Sequence, residues 1–433
     1  MEVRKPSGML ISALFTFSAL LASCSKPSKL TVASEPLKDS RCAGANAVKS
    51  RAIVEWEDGR ISFEEIDGVE SFKNKFMAPQ IHLIKRVQFD QIVKLHPTAM
   101  TTQPESNLDL PTNVLRDWGQ RIIEMDKVVP DEKSPPSEKL MQQILDEDSP
   151  VIVGVVDSYV DAKHVQLKGQ MVFNTNEIPE NGKDDDNNGF VDDYFGGKFI
   201  SVPAKSEKRH PHGTHVAGII AADSSLGPIR GIAPKARIVP AQFINDDGEG
   251  TLSDSIQALD YVAMRGARII NASWGGPCPD SLGAAFKNLE RQGILLVVAA
   301  GNDGRDLEAS PTYPAAFDLS TQLTVGASTE NDFMAGFSNS SFFSVHLAAP
   351  GVGIWSTIPG NQFVAMDGTS MAAPFVSGAA ALLWGLRPSA TALQIKAALM
   401  GSVDRTPQHE FRVMTQGRLN VYKAYQKLLT IIP

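Results

Sequence analysis

The sequence predicts an α/β protein: a doubly wound, mostly parallel sheet with helices on both faces, preceded by a small N-terminal α/β unit. Three observations predict it. First, the run Val151-Ile152-Val153-Gly154-Val155-Val156 is largely β-branched, and Ala267-Arg268-Ile269-Ile270 and Ile294-Leu295-Leu296-Val297-Val298 repeat the texture. Such runs suit parallel strands covered on both faces. Second, helical stretches at 252–265 and 281–292 separate the runs. Third, strand and helix alternate, which is the signature of a layered fold whose sites lie at the carboxyl ends of the strands.

Composition agrees. Of 433 residues, 42% are hydrophobic and 21% charged, enough for a large core and too apolar for wholesale disorder. The net charge of −8 argues against nucleic acid as a partner, which needs a basic face. Three cysteines are too few for a disulfide scaffold.

In chain order, Arg4 and Lys5 precede an apolar run at 9–22. It is shorter than the ~20 residues a spanning helix needs, but it suits the core of a signal peptide, residues 1–23. It ends in Leu21-Ala22-Ser23-Cys24, which resembles the bacterial lipoprotein box. That resemblance implies that Cys24 receives lipid and becomes the new N-terminus; the alternative is an ordinary signal peptide that contains a cysteine. Lipid anchors a protein without spanning, and the expected location is exported and membrane-anchored, on the periplasmic or cell-surface side. Cys42 and Cys278 then remain, either paired after export or as two apolar thiols.

Residues 24–50, rich in Ser, Lys, Ala and Pro, read as a tether. Ala52-Ile53-Val54-Glu55-Trp56 reads as a strand, 63–76 as a helix and Ile81-His82-Leu83-Ile84 as a second strand. Residues 97–111 are polar and Pro-bearing, hence a linker, and 130–136 form a second Pro-rich, charged segment.

Three motifs carry chemistry: Asp157-Ser158 after the first strand; His212-Gly213-Thr214-His215-Val216-Ala217-Gly218 opening a helix; and Gly368-Thr369-Ser370-Met371-Ala372-Ala373-Pro374 opening another. They supply a carboxylate, an imidazole and a hydroxyl. A serine hydroxyl is a weak nucleophile that needs a base, and the base needs an anion to fix its tautomer. A helix start gives Ser370 free N–H groups and a positive dipole end. Pro374 is read in the first turn, where a missing N–H costs little. His210, His212 and His215 cluster, but no distant Cys or carboxylate motif completes a metal site.

The order and context of these motifs resemble the subtilisin-like serine proteases over roughly 157–425. Gly231-Ile232-Ala233-Pro234, Asn271-Ala272-Ser273-Trp274-Gly275, Ala299-Ala300-Gly301-Asn302, Val325-Gly326-Ala327 and Ala348-Ala349-Pro350-Gly351 add to the likeness. The resemblance implies that Asp157 orients, His212 is the base, Ser370 attacks, and Asn302 donates to the oxyanion beside the Ser370 N–H. It implies that Ser273, Trp274 and Gly275 form one edge for an extended peptide, with Gly248 and Gly250 on the opposite edge. Asp303, Asp306 and Glu308 follow, either as a preference for basic residues before the cut or as exposed loop carboxylates. The family prefers Gly where Tyr159 stands; a positive φ there would strain Tyr.

The expected function is therefore an exported, lipid-anchored serine endopeptidase that acts on polypeptides through an acyl-enzyme on Ser370, with no cofactor required for chemistry. The alternatives are a catalytically inactive peptide-binding lipoprotein and a calcium-dependent structural lipoprotein. The resemblance also implies a prosegment, assigned to 51–110, with cleavage between about Ala99 and Asp117. The peptidase domain is then 111–433, and Trp118-Gly119 resembles its start. Finally, Asp184, Asp186, Asn188 and Asp192 resemble the opening of a calcium loop. The twelfth position is Phe195 where an EF-hand has Glu, so the loop is not a complete EF-hand; the alternative is a solvated acidic turn.

Overall fold

The computed structural model describes residues 47–106, 118–128, 150–276 and 280–432. Cys24, Cys42, Cys278, the segment 130–136 and most of the expected cleavage region lie outside these residues. A nine-stranded sheet runs in the order Asp404–Arg405, Gly417–Arg418, Leu347–Pro350, Gln322–Ser328, Leu295–Ala299, Ile269–Ala272, Ile152–Asp157, Arg237–Gln242, Gly197–Lys198. Every neighbouring pair is parallel except Asp404–Arg405 with Gly417–Arg418. This is the doubly wound architecture the sequence predicts. The first strand of the sheet in chain order, Ile152–Asp157, has later strands on both sides, so its carboxyl end, at Asp157, is a topological switch point.

Both faces are covered, as the continuous apolar strands require. The helix Leu252–Met264 lies so close that a Cβ on Gly154 would meet Val262 at 2.7 Å. Thr251 caps this helix by accepting the Asp254 amide. On the other face the helix Thr369–Leu386 is buried along its whole length against the central strands and the helix His212–Ala221. It is long and apolar enough to cross a membrane, but its complete burial marks it as a core helix. Pro374 lies inside this helix, not in its first turn. Proline cannot donate to the Ser370 carbonyl four residues back, and the Ser273 hydroxyl donates to it instead at 3.3 Å.

The N-terminal unit is an antiparallel sheet with Ala47–Trp56 between Ile61–Glu65 and Ile84–Leu95. Ala52, Val54, Trp56 and Ile84 pack against Phe72 on a short helical segment over 69–80. Two expectations are corrected. Phe63 lies in a strand, with the helix beginning at Val69, and residues 81–83 form a turn before a longer strand. The alternating polar residues of that strand seat the unit on the larger domain: Gln88 accepts the Ser281 amide and Asp90 the Ser253 amide, each at a helix start.

The linker expected at 97–111 is also corrected. Ala99–Met100 and Glu105–Ser106 pair antiparallel with Gln362–Asp367. These pairings are too short to leave a periodicity in sequence.

Candidate active site

Asp157 ends its strand fully buried, and its carboxylate accepts from His212 Nδ1 at 2.7 Å and from the Ser158 amide at 2.6 Å. His212 opens its helix, which packs so tightly on this turn that a Cβ on Gly213 would stand 2.5 Å from the Ser158 carbonyl. Ser158 Oγ in turn accepts the Gly213 amide. The proton held on Nδ1 by the carboxylate leaves Nε2 with its lone pair, as a base requires. His212 Nε2 is buried with no hydrogen-bond partner among the described residues. Tyr159 has no positive φ, so the strain feared there is absent; Arg209 stacks over its ring at 4.9 Å.

The neighbouring histidines behave differently. Burial, then the proximity of His212, pushes His210 down to about 4, and burial pushes His215 down to about 3. His215 bonds the Val364 carbonyl. Both are neutral at physiological pH, and neither adds charge to the site.

Asn302 is oriented by a residue whose role the sequence reading left unassigned. Thr369 donates its amide at 2.9 Å and its hydroxyl at 2.7 Å to Asn302 Oδ1, so Asn302 Nδ2 faces the cleft. There it donates to the Pro97 carbonyl at 2.7 Å. Ser370, in the first turn of its helix, is fully buried, and its Oγ donates to the Ser273 carbonyl at 3.1 Å. The helices carrying His212 and Ser370 pack together, yet the serine hydroxyl is turned to Ser273 and not to His212.

A peptide occupies both edges of the cleft. Residues Ile92, Val93 and Lys94 pair antiparallel with Thr251, Gly250 and Glu249. Lys94 and Leu95 also pair with Gly275 and Trp274. The Leu95 amide donates to the Gly248 carbonyl at 3.1 Å, with Gly248 at φ 82°. Trp274, Gly275, Gly248 and Gly250 thus lie against one extended strand, and Ser273 stands next to Trp274. Trp274 is braced by donating to the Val156 carbonyl. The next side chain, His96, enters a pocket floored by Gly275 and Gly301, where a Cβ would meet its ring at 2.8 and 3.2 Å. Burial pushes His96 down to about 4, partly opposed by Asp303. Asp303, Asp306 and Glu308 are themselves exposed.

In the acidic loop, ligand atoms of Glu177, Asp184 and Asp186 lie within 4.8 Å of one another. Glu177 is buried: Oε1 accepts the Asp185 and Asp186 amides, and Oε2 has no partner among the described residues. Asp192 is not in this group; its oxygens accept the Asn181 and Gly182 amides and close the loop. Asn188 Nδ2 donates to Asp186 and Asp193, and its Oδ1 accepts the Phe190 amide. Glu177 was missed because it lies outside the loop spacing, seven residues before Asp184.

Comparison with known proteins follows the same residues. The model of the subtilase family matches residues 148–417. The chain is similar to subtilisin-like protease 1 of Plasmodium berghei (strain Anka), 31% identical over 301 residues, covering 64% of this chain and 49% of the relative. It thus spans about half the length of that relative. It is 36% identical over 203 residues to subtilisin BL of Lederbergia lenta, covering 46% of this chain and 73% of the relative. It is 32% identical over 248 residues to subtilisin DY of Bacillus licheniformis, covering 57% and 81%.

Proposed function

The chain belongs to the subtilase family, and on that premise we propose that it is an exported serine endopeptidase, anchored to a membrane through lipid on Cys24, in a precursor form whose cleft holds its own N-terminal segment. The observation that carries the reading is the buried Asp157–His212 pair at 2.7 Å beside an Asn302 amide already holding a peptide carbonyl. Ser370 Oγ, once turned to His212 Nε2, passes its proton there and bonds to the substrate carbonyl carbon. Asn302 Nδ2 and the Ser370 N–H hold the oxyanion, and Asp157 steadies the imidazolium. The C–N bond breaks as His212 returns the proton to the leaving nitrogen, and water then hydrolyses the ester on Ser370. Subtilases need no cofactor for this chemistry.

Residues 51–110 act as the prosegment of a zymogen, and the larger domain from 111 onward as the peptidase. A calcium ion, bound by Glu177, Asp184 and Asp186, would brace the loop. The buried Oε2 of Glu177, unpartnered among the described residues, supports a cation there, because a lone buried carboxylate oxygen is costly. Polypeptides are the substrates this cleft accommodates.

The test is labelling with a fluorophosphonate and turnover of a fluorogenic peptide. Stoichiometric labelling and turnover, both lost in Ser370→Ala, are expected. The second reading, an inactive peptide-binding lipoprotein, is favoured by the Ser370 hydroxyl bonding Ser273. It predicts tight peptide binding with neither labelling nor turnover.

A further inference from the structure

We propose that Pro97 makes the docked segment a resident inhibitor that Ser370 does not cut, so that the chain stays in one piece while its cleft is filled. The proposal rests on the peptidase reading and adds the regulation of that site.

Two independent rulers confine the threatened bond to two neighbouring ones. Strand register pairs Gly275 with Lys94 and Trp274 with Leu95; continued by one residue, it sets His96 opposite Ser273. Asn302 instead holds the carbonyl of Pro97, at 2.7 Å. The bond addressed is therefore His96–Pro97 by the first ruler and Pro97–Thr98 by the second, and proline flanks both.

Proline spoils either frame. Its nitrogen carries no proton, so in the frame that Asn302 sets, where Pro97 takes the place that register gives His96, it offers nothing to the Ser273 carbonyl. Ser370 Oγ donates to that carbonyl, at 3.1 Å, while His212 Nε2 has no partner among the described residues. Attack requires that hydroxyl within about 2.6–3.2 Å of its base. In the other frame the leaving nitrogen belongs to a tertiary amide within the proline ring, and a ring carbon occupies the side where an ordinary amide presents N–H.

The flanks reinforce the block. Residues 92–95 are held by both edges of the cleft, and 99–100 and 105–106 by the strand Gln362–Asp367. Should Ser370 Oγ bond to a carbonyl carbon and the C–N bond break, the freed nitrogen stays beside the ester. It attacks that ester, the C–N bond re-forms, and the serine leaves with its proton.

The test uses the full chain, its Pro97→Ala and Pro97→Ser variants, and each variant combined with Ser370→Ala. Intact mass and N-terminal sequencing follow cleavage between 95 and 99; turnover of an external fluorogenic peptide is read in parallel, and melting temperature reports folding. The variants are expected to cut themselves there at least ~10²-fold faster than the native chain, the scale of one lost proton-transfer contribution. No cutting is expected with Ser370→Ala. A native chain that cuts itself at 96–97 or 97–98 as fast as Pro97→Ala overturns the proposal. So does a folded Pro97→Ala that turns over the external peptide yet leaves its own segment whole. Absence of turnover and of fluorophosphonate labelling in every protein removes the peptidase reading itself, and the proposal with it.

Discussion

Replacing Asp90 with alanine should loosen the N-terminal unit on the cleft by about 30-fold to several hundred-fold. Asp90 is fully buried at the start of the helix Leu252–Met264. Its carboxylate accepts the Ser253 amide at 2.9 Å and the Ser253 hydroxyl at 2.5 Å. A hydrogen bond to a charged group contributes roughly 1.5–3 kcal/mol, and the helix end adds ~0.3–1 kcal/mol. Arg51, 3.7 Å away, lies on the same N-terminal unit as Asp90, so that pair does not hold the unit to the larger domain. Water entering the variant regains part of the loss, which leaves a net of about 2–4 kcal/mol, at 1.4 kcal/mol per factor of ten. The assay is the rate at which a fluorophosphonate labels Ser370 in the full chain, since labelling needs an open cleft. Asp90→Asn, which keeps an acceptor oxygen without the charge, should fall between the two. An Asp90→Ala protein that labels no faster than the native chain would show that the Asp90–Ser253 bonds do not hold the unit on the cleft.

Three other outcomes follow from the same geometry. Asn302→Ala should lower turnover of an external peptide on the order of 10²–10³-fold with little change in KM, a magnitude measured on a subtilisin and carried over to this relative. The docked value of His96, about 4, is below the ~6.5 of a free imidazole. Docking is therefore strongest above pH ~6.5 and weakens about tenfold per unit as the pH falls toward 4. The protection factor of the Leu95 amide in Ser370→Ala, its exchange rate divided into the intrinsic rate at each pH, should fall accordingly, and His96→Leu should flatten that dependence. Calcium should raise the melting temperature by several degrees, and Glu177→Gln should abolish the rise; an equal rise in the variant would rule out Glu177 as a ligand.

Most of the doubly wound layer was legible because parallel strands buried on both faces leave unmistakable apolar runs. The residues that the structure gathers around the cleft lie in short motifs at strand ends and helix starts, where local sequence and site coincide. What escaped reading depends on distant partners. Gln88 and Asp90 look like the wet face of a strand until two helix starts appear opposite them. Residues 97–106 look like a linker because the cleft and the strand Gln362–Asp367 supply their hydrogen bonds. Glu177 carries no spacing signal, since burial and not periodicity brings it to Asp184 and Asp186. Pro374 was assigned one turn too early, and only the Ser273 hydroxyl reveals how the helix tolerates it.

A strand threaded through the cleft of its own chain has a kinetic consequence. Being tethered, it competes at an effective concentration on the order of millimolar, which dilution does not change. A free peptide at micromolar levels faces a rival about a thousandfold more abundant. For the peptidase proposed above, the substrate level giving half-maximal rate in the intact chain would thus be a property of the tether as much as of the pocket.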